Sequence, residues 1–394
     1  MGAGPANRHT PKRLLSDLSV HAALPGMERT LSLDGILTSR GAGDGLRRLC
    51  GLVALALVVA LVGFGLSAPP RSDPRAEVSD LQLYARIIDR VRDGQPYDAV
   101  VVKDLRAVGG AVRPFVTVRP PLLAMAMAAL PDVSTRVLSV RLLAVIVLAA
   151  WALRWRGAAP AAWYRWPLLA ALSSGLAMAL APQAYLMHEV WAGLLIALSL
   201  ALRRREQWLA AVAVGTAAAL IRELAAPFLL VMTLTALLER RTTEALGWLA
   251  GLAVFALALA RHAAAVHALL LPTDPASPGW LVAGGWPFVL HAASWNLFVL
   301  FLAPQALALA LPLAMLGLAS WRDELGRRVA LTVLGYLAGF AVVGRAENFY
   351  WGLIIAPLWP MGLVMAPAGL ALMMRWIRNA DAPTPPARAD PDPI

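Results

Sequence analysis

At 394 residues, with 59% hydrophobic and only 15% charged side chains, the chain is more apolar than a soluble domain wrapped around one core. Its net charge of +11 does not point to nucleic acid, because the arginines punctuate the ends of apolar runs and gather into no basic domain. A single cysteine, Cys50, excludes an internal disulfide.

A mean hydropathy of +0.64 places the chain in a bilayer, and helices are the expected element because lipid-facing backbone must satisfy its own hydrogen bonds. Residues 1–46 carry Arg8, Lys12, Arg13, Arg29 and Arg40 among Gly and Ser, and read as a disordered cytoplasmic lead without a cleavage pattern. A first span at 49–67 follows Arg47 and Arg48. By the positive-inside rule, residues 68–120 then form the first external loop, which contains short amphipathic helices and, after the amphipathic segment that follows Asp80, a D-G-Q-P-Y turn.

The run 121–131 is too short to cross and reads as re-entrant or interfacial. Spans are expected at 137–153, 166–182, 186–202, 207–221, 224–238, 246–270, 291–319, 329–344 and 350–374. Arginine-rich loops on one side alternate with less basic ones on the other. The proline-rich tail 379–394 cannot build a core and reads as disordered. The expectation is an all-α polytopic membrane domain over 47–378, with about ten transmembrane helices and both ends cytoplasmic.

On this threading, the ionisable groups outside the basic loops fall at one outer level: Asp80, Arg113, Arg119, His188, Glu189, Arg222, Glu223, Arg345 and Glu347. Charges near membrane depth cost a few kcal/mol each unless paired or hydrated, so such a layer marks a candidate site. Asp80 stands out, lying just beyond the first span with Tyr84 four residues on and Arg119-Pro120-Pro121 following.

The order of these features, from Leu49 to Arg241, resembles the GT-C class of integral-membrane glycosyltransferases, which includes the protein O-mannosyltransferases and the lipid A aminoarabinose transferases. The resemblance implies that Asp80 is the catalytic base. It implies that Glu189, beside His188 in YLMHE, stands where the family often has an aspartate, and that Arg222 faces the donor phosphate. Arg345 is a second phosphate clamp, for which the guanidinium fork is suited. Tyr84, Arg119, His188, Glu189, Glu347, Asn348 and Tyr350 are expected to contact substrate.

The implied reaction moves a sugar, with inversion, from a polyprenyl-phosphate donor to a glycan, lipid or protein acceptor. It needs a carboxylate to take the acceptor proton and cations to neutralise the departing phosphate. No cofactor is required; a divalent metal is compatible with the chemistry, but the sequence does not indicate one. The Ala- and Arg-rich composition with two lysines, Lys12 and Lys103, suggests a bacterial inner membrane, the site facing outward.

Blander roles stand beside these. Ser79-Asp80 is a reasonable N-cap, Asp89 and Asp93 suit a solvated face, and Arg113 and Arg119 could snorkel to headgroups. Arg222-Glu223 could neutralise one another at a helix break before Pro227, and Glu347, Asn348 and Tyr350 could serve a short turn. His188-Glu189 lacks the second histidine of a zinc-protease motif, and the spacing of His262 and His267 puts them on different helical faces. The alternative class is a transporter or flippase of lipid-linked saccharides, whose binding groups would sit on broken helices near the midplane.

Overall fold

The computed structural model describes residues 42–67, 77–157, 162–300 and 304–378. The expected lead, tail and early part of the first external loop lie largely outside them. Among the described residues the fold is all-α, with no strand and one isolated bridge, Arg113 to Ala276.

In chain order the helices are α1 (Ala42–Leu66), α2 (Glu77–Arg92), α3 (Tyr97–Ala107), α4 (Leu122–Ala128), α5 (Val133–Gly157), α6 (Ala162–Leu176), α7 (His188–Leu202) and α8 (Leu209–Ile221). There follow α9 (Ala226–Leu238), α10 (Thr242–His267), α11 (Gly285–Ala293), α12 (Leu297–Leu300), α13 (Pro304–Ser320), α14 (Glu324–Val342) and α15 (Met361–Arg378). Four stretches are long and apolar enough to cross a membrane: Gly45–Leu66, Val133–Arg156, Thr242–His267 and Glu324–Val342. Further apolar helices, among them α7, α8 and α13, are shorter.

Two expected spans are each divided. The stretch 291–319 contains the end of α11, the single turn α12 and α13. The stretch 350–374 begins as 3₁₀ helix, Ala346–Ile354, and becomes α-helical only at Met361. Apolar composition alone does not distinguish a continuous helix from broken pieces packed within protein.

Local chemistry explains the boundaries. Asp132 Oδ1 accepts the Thr135 amide at 2.8 Å and starts α5, and Asp323 Oδ1 accepts the Gly326 amide at 2.7 Å and starts α14. Between α2 and α3, Gly94 takes φ +86°, which a side chain would resist, and Pro96 then opens α3. Close backbone crossings occur at Gly175 on α6 and Gly193 on α7, where an added Cβ would collide with the backbone of Ala356 and Leu353. The second of these presses the end of the 3₁₀ segment onto α7, and the first presses the turn after it onto α6.

The amphipathic helix α2 packs on both α3 and α4, and Leu83, Ile87, Ile88, Val100 and Val101 are buried there. Asp89, expected on a solvated face, is half-exposed and also ties α2 to α5 through Arg136 at 3.0 Å. Arg106 of α3 pairs with Asp274 at 2.6 Å, joining the first loop to a segment far along the chain.

One end of the bundle is held by buried charges. Arg203, after α7, meets Glu244 of α10 at 2.7 Å and also pairs with Glu324 of α14. Arg328 of α14 reaches Glu239 after α9 at 2.6 Å. The opposite end carries the candidate site, about 22 Å from Arg203 along α7 at 1.5 Å per residue.

Candidate functional site

The site forms where α2, the strap between α3 and α4, the start of α7 and the late 3₁₀ segment converge. A cavity of about 40 Å³ is lined by Asp80, Leu81 and Tyr84 from α2, Arg119 from the strap, Leu186 to Glu189 at the head of α7, and Tyr350. It is too small to enclose a hexose, so a sugar would have to sit across its mouth. Six of the ten residues expected to act chemically therefore share one surface.

Asp80 is exposed by area, yet the protein packed around its carboxyl raises its pKa above the ordinary aspartate value. The Arg119 charge pulls the other way but is the smaller influence. Burial also pushes the Tyr84 phenol up, keeping it a neutral O–H. Its ring meets that of His188 edge-on, with centroids 5.4 Å apart. His188 is buried, and among the described residues its Nε2 has no hydrogen-bond partner.

Arg119 is the cation of the cavity. Its Nη2 donates to Tyr350 Oη at 3.1 Å and lies 3.8 Å from Glu189 Oε1. The strap is fixed through its carbonyls. Tyr97 Oη donates to the Arg119 carbonyl at 2.6 Å, and His262 Nε2 lies 3.0 Å from the Val118 carbonyl. His262 Nδ1 faces Asp98 at 3.5 Å, so neighbouring residues at the head of α3 hold neighbouring carbonyls of the strap, one directly and one through α10. Arg119 is thus committed to the cavity and does not snorkel outward.

Arg222 sits behind this surface. It is 1% exposed, its Nε lies 2.6 Å from Glu189 Oε1, and its Nη1 pairs with Glu223. The Nε–H does not point at the Glu189 oxygen, so that contact is an ion pair without a hydrogen bond. Arg222 has extended backbone where α8 gives way to a 3₁₀ turn, the helix break that Pro227 suggests.

Arg345, Glu347 and Asn348 are not on the cavity. Arg345 Nε pairs with Glu347 at 2.8 Å, and Asn348 Oδ1 accepts the Arg345 amide at 3.3 Å, so the three organise the start of their own 3₁₀ segment. Tyr350, two residues on, is the one that reaches Arg119. Arg113 donates to the Pro272 carbonyl at 3.2 Å and also to that of Asp274.

Against protein-family models, curated proteins and solved structures, the chain finds no match. Among the described residues, no three His, Cys, Asp or Glu side chains converge as metal ligands.

Sequence reasoning missed Tyr97, Asp98 and His262. The spacing of His262 and His267 says only that they fall on different helical faces, and the partner of His262, Val118, is 144 positions away, a separation that leaves no pattern in the chain. A second, apolar cavity of about 240 Å³ was also unforeseen. It is lined by Pro120, Pro121 and Leu122, by Leu220 of α8 and by Phe255 and His262 of α10. Because Pro120 follows Arg119 directly, this apolar recess begins where the charged one ends.

Proposed function

We propose that the chain is a membrane glycosyltransferase of the GT-C kind, transferring a sugar with inversion from a polyprenyl-phosphate donor to an envelope acceptor on the outer face. The observation that carries this reading is the juxtaposition of Asp80 and Arg119 on one cavity, beside an apolar recess that starts at the next residue. A donor of this class is an amphiphile with a hydrocarbon tail, a phosphate and a sugar, and these neighbouring surfaces suit its parts in that order. The tail rests on Pro121, Leu220 and Phe255, the phosphate meets Arg119, and the sugar lies over Tyr84 and Tyr350.

In the mechanism, an acceptor hydroxyl at the cavity mouth gives its proton to the Asp80 carboxylate as its oxygen attacks the anomeric carbon. The bond from that carbon to the phosphate oxygen breaks on the opposite face, and Arg119 stabilises the departing anion. Arg222 holds Glu189 in place through their ion pair. Glu189 in turn holds Arg119 in place.

A transport reading draws on the break between α8 and α9, where Arg222, Glu189 and Glu223 meet at a helix interruption. One experiment separates the two. Asp80→Asn at matched membrane levels should lose transfer to the same extent as deletion of the protein, with lipid-linked sugar accumulating in a mass profile of glycolipids. A deletion phenotype that Asp80→Asn does not reproduce would favour transport.

A further inference from the structure

At the end of the bundle opposite the candidate site, the loop between α7 and α8 borders a recess of about 780 Å³ that the proposed transferase does not use. The loop is tight: the Arg204 amide donates to the Gln207 carbonyl at 3.1 Å, and the Gln207 amide returns the bond at 3.2 Å. That closure points Arg203 and Arg204 apart. Arg203 turns into the protein and is neutralised by Glu244 and Glu324, whereas Arg204 is exposed, lines the recess and has no carboxylate within ion-pair distance among the described residues.

Gln207 and Trp208 share this polar rim. The Trp208 ring is seated against Gly247, where any side chain would strike it. Arg154, whose Nη1 donates to the Arg203 carbonyl at 2.6 Å, brings a second cation close to the rim. The one acid on the rim, Glu206, is 88% exposed and lies 3.8 Å from Arg241. Below the rim the walls are aliphatic, and Ile146, Leu153 and Leu209 are 53%, 56% and 70% exposed, as lipid-facing side chains would be.

We propose that this recess binds one anionic phospholipid, its phosphate on Arg204 and Gln207 and the upper part of an acyl chain against Ile146, Leu153 and Leu209. A free cation above an aliphatic wall that opens sideways is complementary to a lipid carrying charge and chain together. A soluble anion would use the rim and leave the wall empty. The site stands independently of the transferase reading.

The test reconstitutes the full chain in nanodiscs of phosphatidylglycerol and phosphatidylcholine with identical acyl chains and counts retained lipid by native mass spectrometry. The wild type should keep one phosphatidylglycerol in preference to phosphatidylcholine. Arg204→Gln should lower that retention about tenfold, as expected for losing one charge-assisted contact. Arg205→Gln, on the same loop but outside the recess, should change little, and Ala149→Trp, filling the exposed wall, should expel the lipid with the charges intact.

Equal retention of phosphatidylcholine, equal loss with Arg205→Gln, or full retention in Ala149→Trp would overturn the proposal. So would displacement of the lipid by inorganic phosphate, which would make the recess a simple anion site.

Discussion

Arg222 Nε lies 2.6 Å from Glu189 Oε1, and both side chains are almost wholly buried. An arginine so placed supports the site surface from behind. Arg222→Met should therefore act first on stability, leaving the buried Glu189 carboxylate with only the more distant Arg119, 3.8 Å away, at a cost toward the low end of about 3–5 kcal/mol. The double variant Arg222→Met/Glu189→Gln should recover most of that loss. Unfolding midpoints in detergent for the two single variants and the double check this, and additive losses would show the pair to be uncoupled.

The Asp80 and Arg119 charges set the expected pH dependence. In the proposed transfer Asp80 takes a proton only when ionised, so activity should fall as the pH drops through its raised pKa. Arg119 lowers that pKa, and Arg119→Gln should move the acidic limb of kcat/KM to higher pH while also reducing the rate. An acidic limb that stays in place would mean that another group limits the reaction.

The strap carrying Arg119 should depend on its carbonyl anchors. Tyr97→Phe removes one hydrogen bond and should cost about 1 kcal/mol. His262→Leu removes the other and should lower the rate, whereas His262→Gln, which still offers an N–H to Val118, should restore part of it. Equal rates in the Leu and Gln variants would leave His262 as packing for the apolar recess alone.

Asp274 ties the segment after α10 to α3 and the strap. The hydrogen bond from Arg106, reinforced by the Leu271 amide, holds its carboxyl down to about 2. A folded pKa below the unfolded value, which is about 3.9, contributes stability that is present above pH 4 and lost as pH falls toward 2. Asp274→Asn should be less stable at neutral pH and show a weaker dependence across that window. Urea or thermal unfolding at stepped pH provides the comparison.

The sequence by itself determined that the chain is helix-rich and apolar enough for a membrane, where most of its helices run, and which short polar stretches are candidates for a site. Those properties are local: apolar runs, arginines at their ends, Gly94 and Pro96 in a turn, Pro227 at a break. Asp80, Arg119, His188 and Glu189, like Arg222, Arg345 and Glu347, could be singled out because ionisable residues between apolar runs are costly unless they do something, whereas Tyr84 and Tyr350 stand out only through the resemblance. The tertiary structure decided which of them meet.

Arg119 takes the place in the cavity expected of Arg222, because Glu189 and Glu223 already occupy Arg222, whereas two carbonyl anchors steer Arg119 inward. Arg345 is kept outside by Glu347 two residues away. The interruptions within 291–319 and 350–374 belong to the same category: composition fixes that a segment is buried in apolar surroundings, and contact with distant backbone fixes whether it stays one helix. Pairing between residues more than a hundred positions apart obeys no periodicity, so it is settled only when the helices pack.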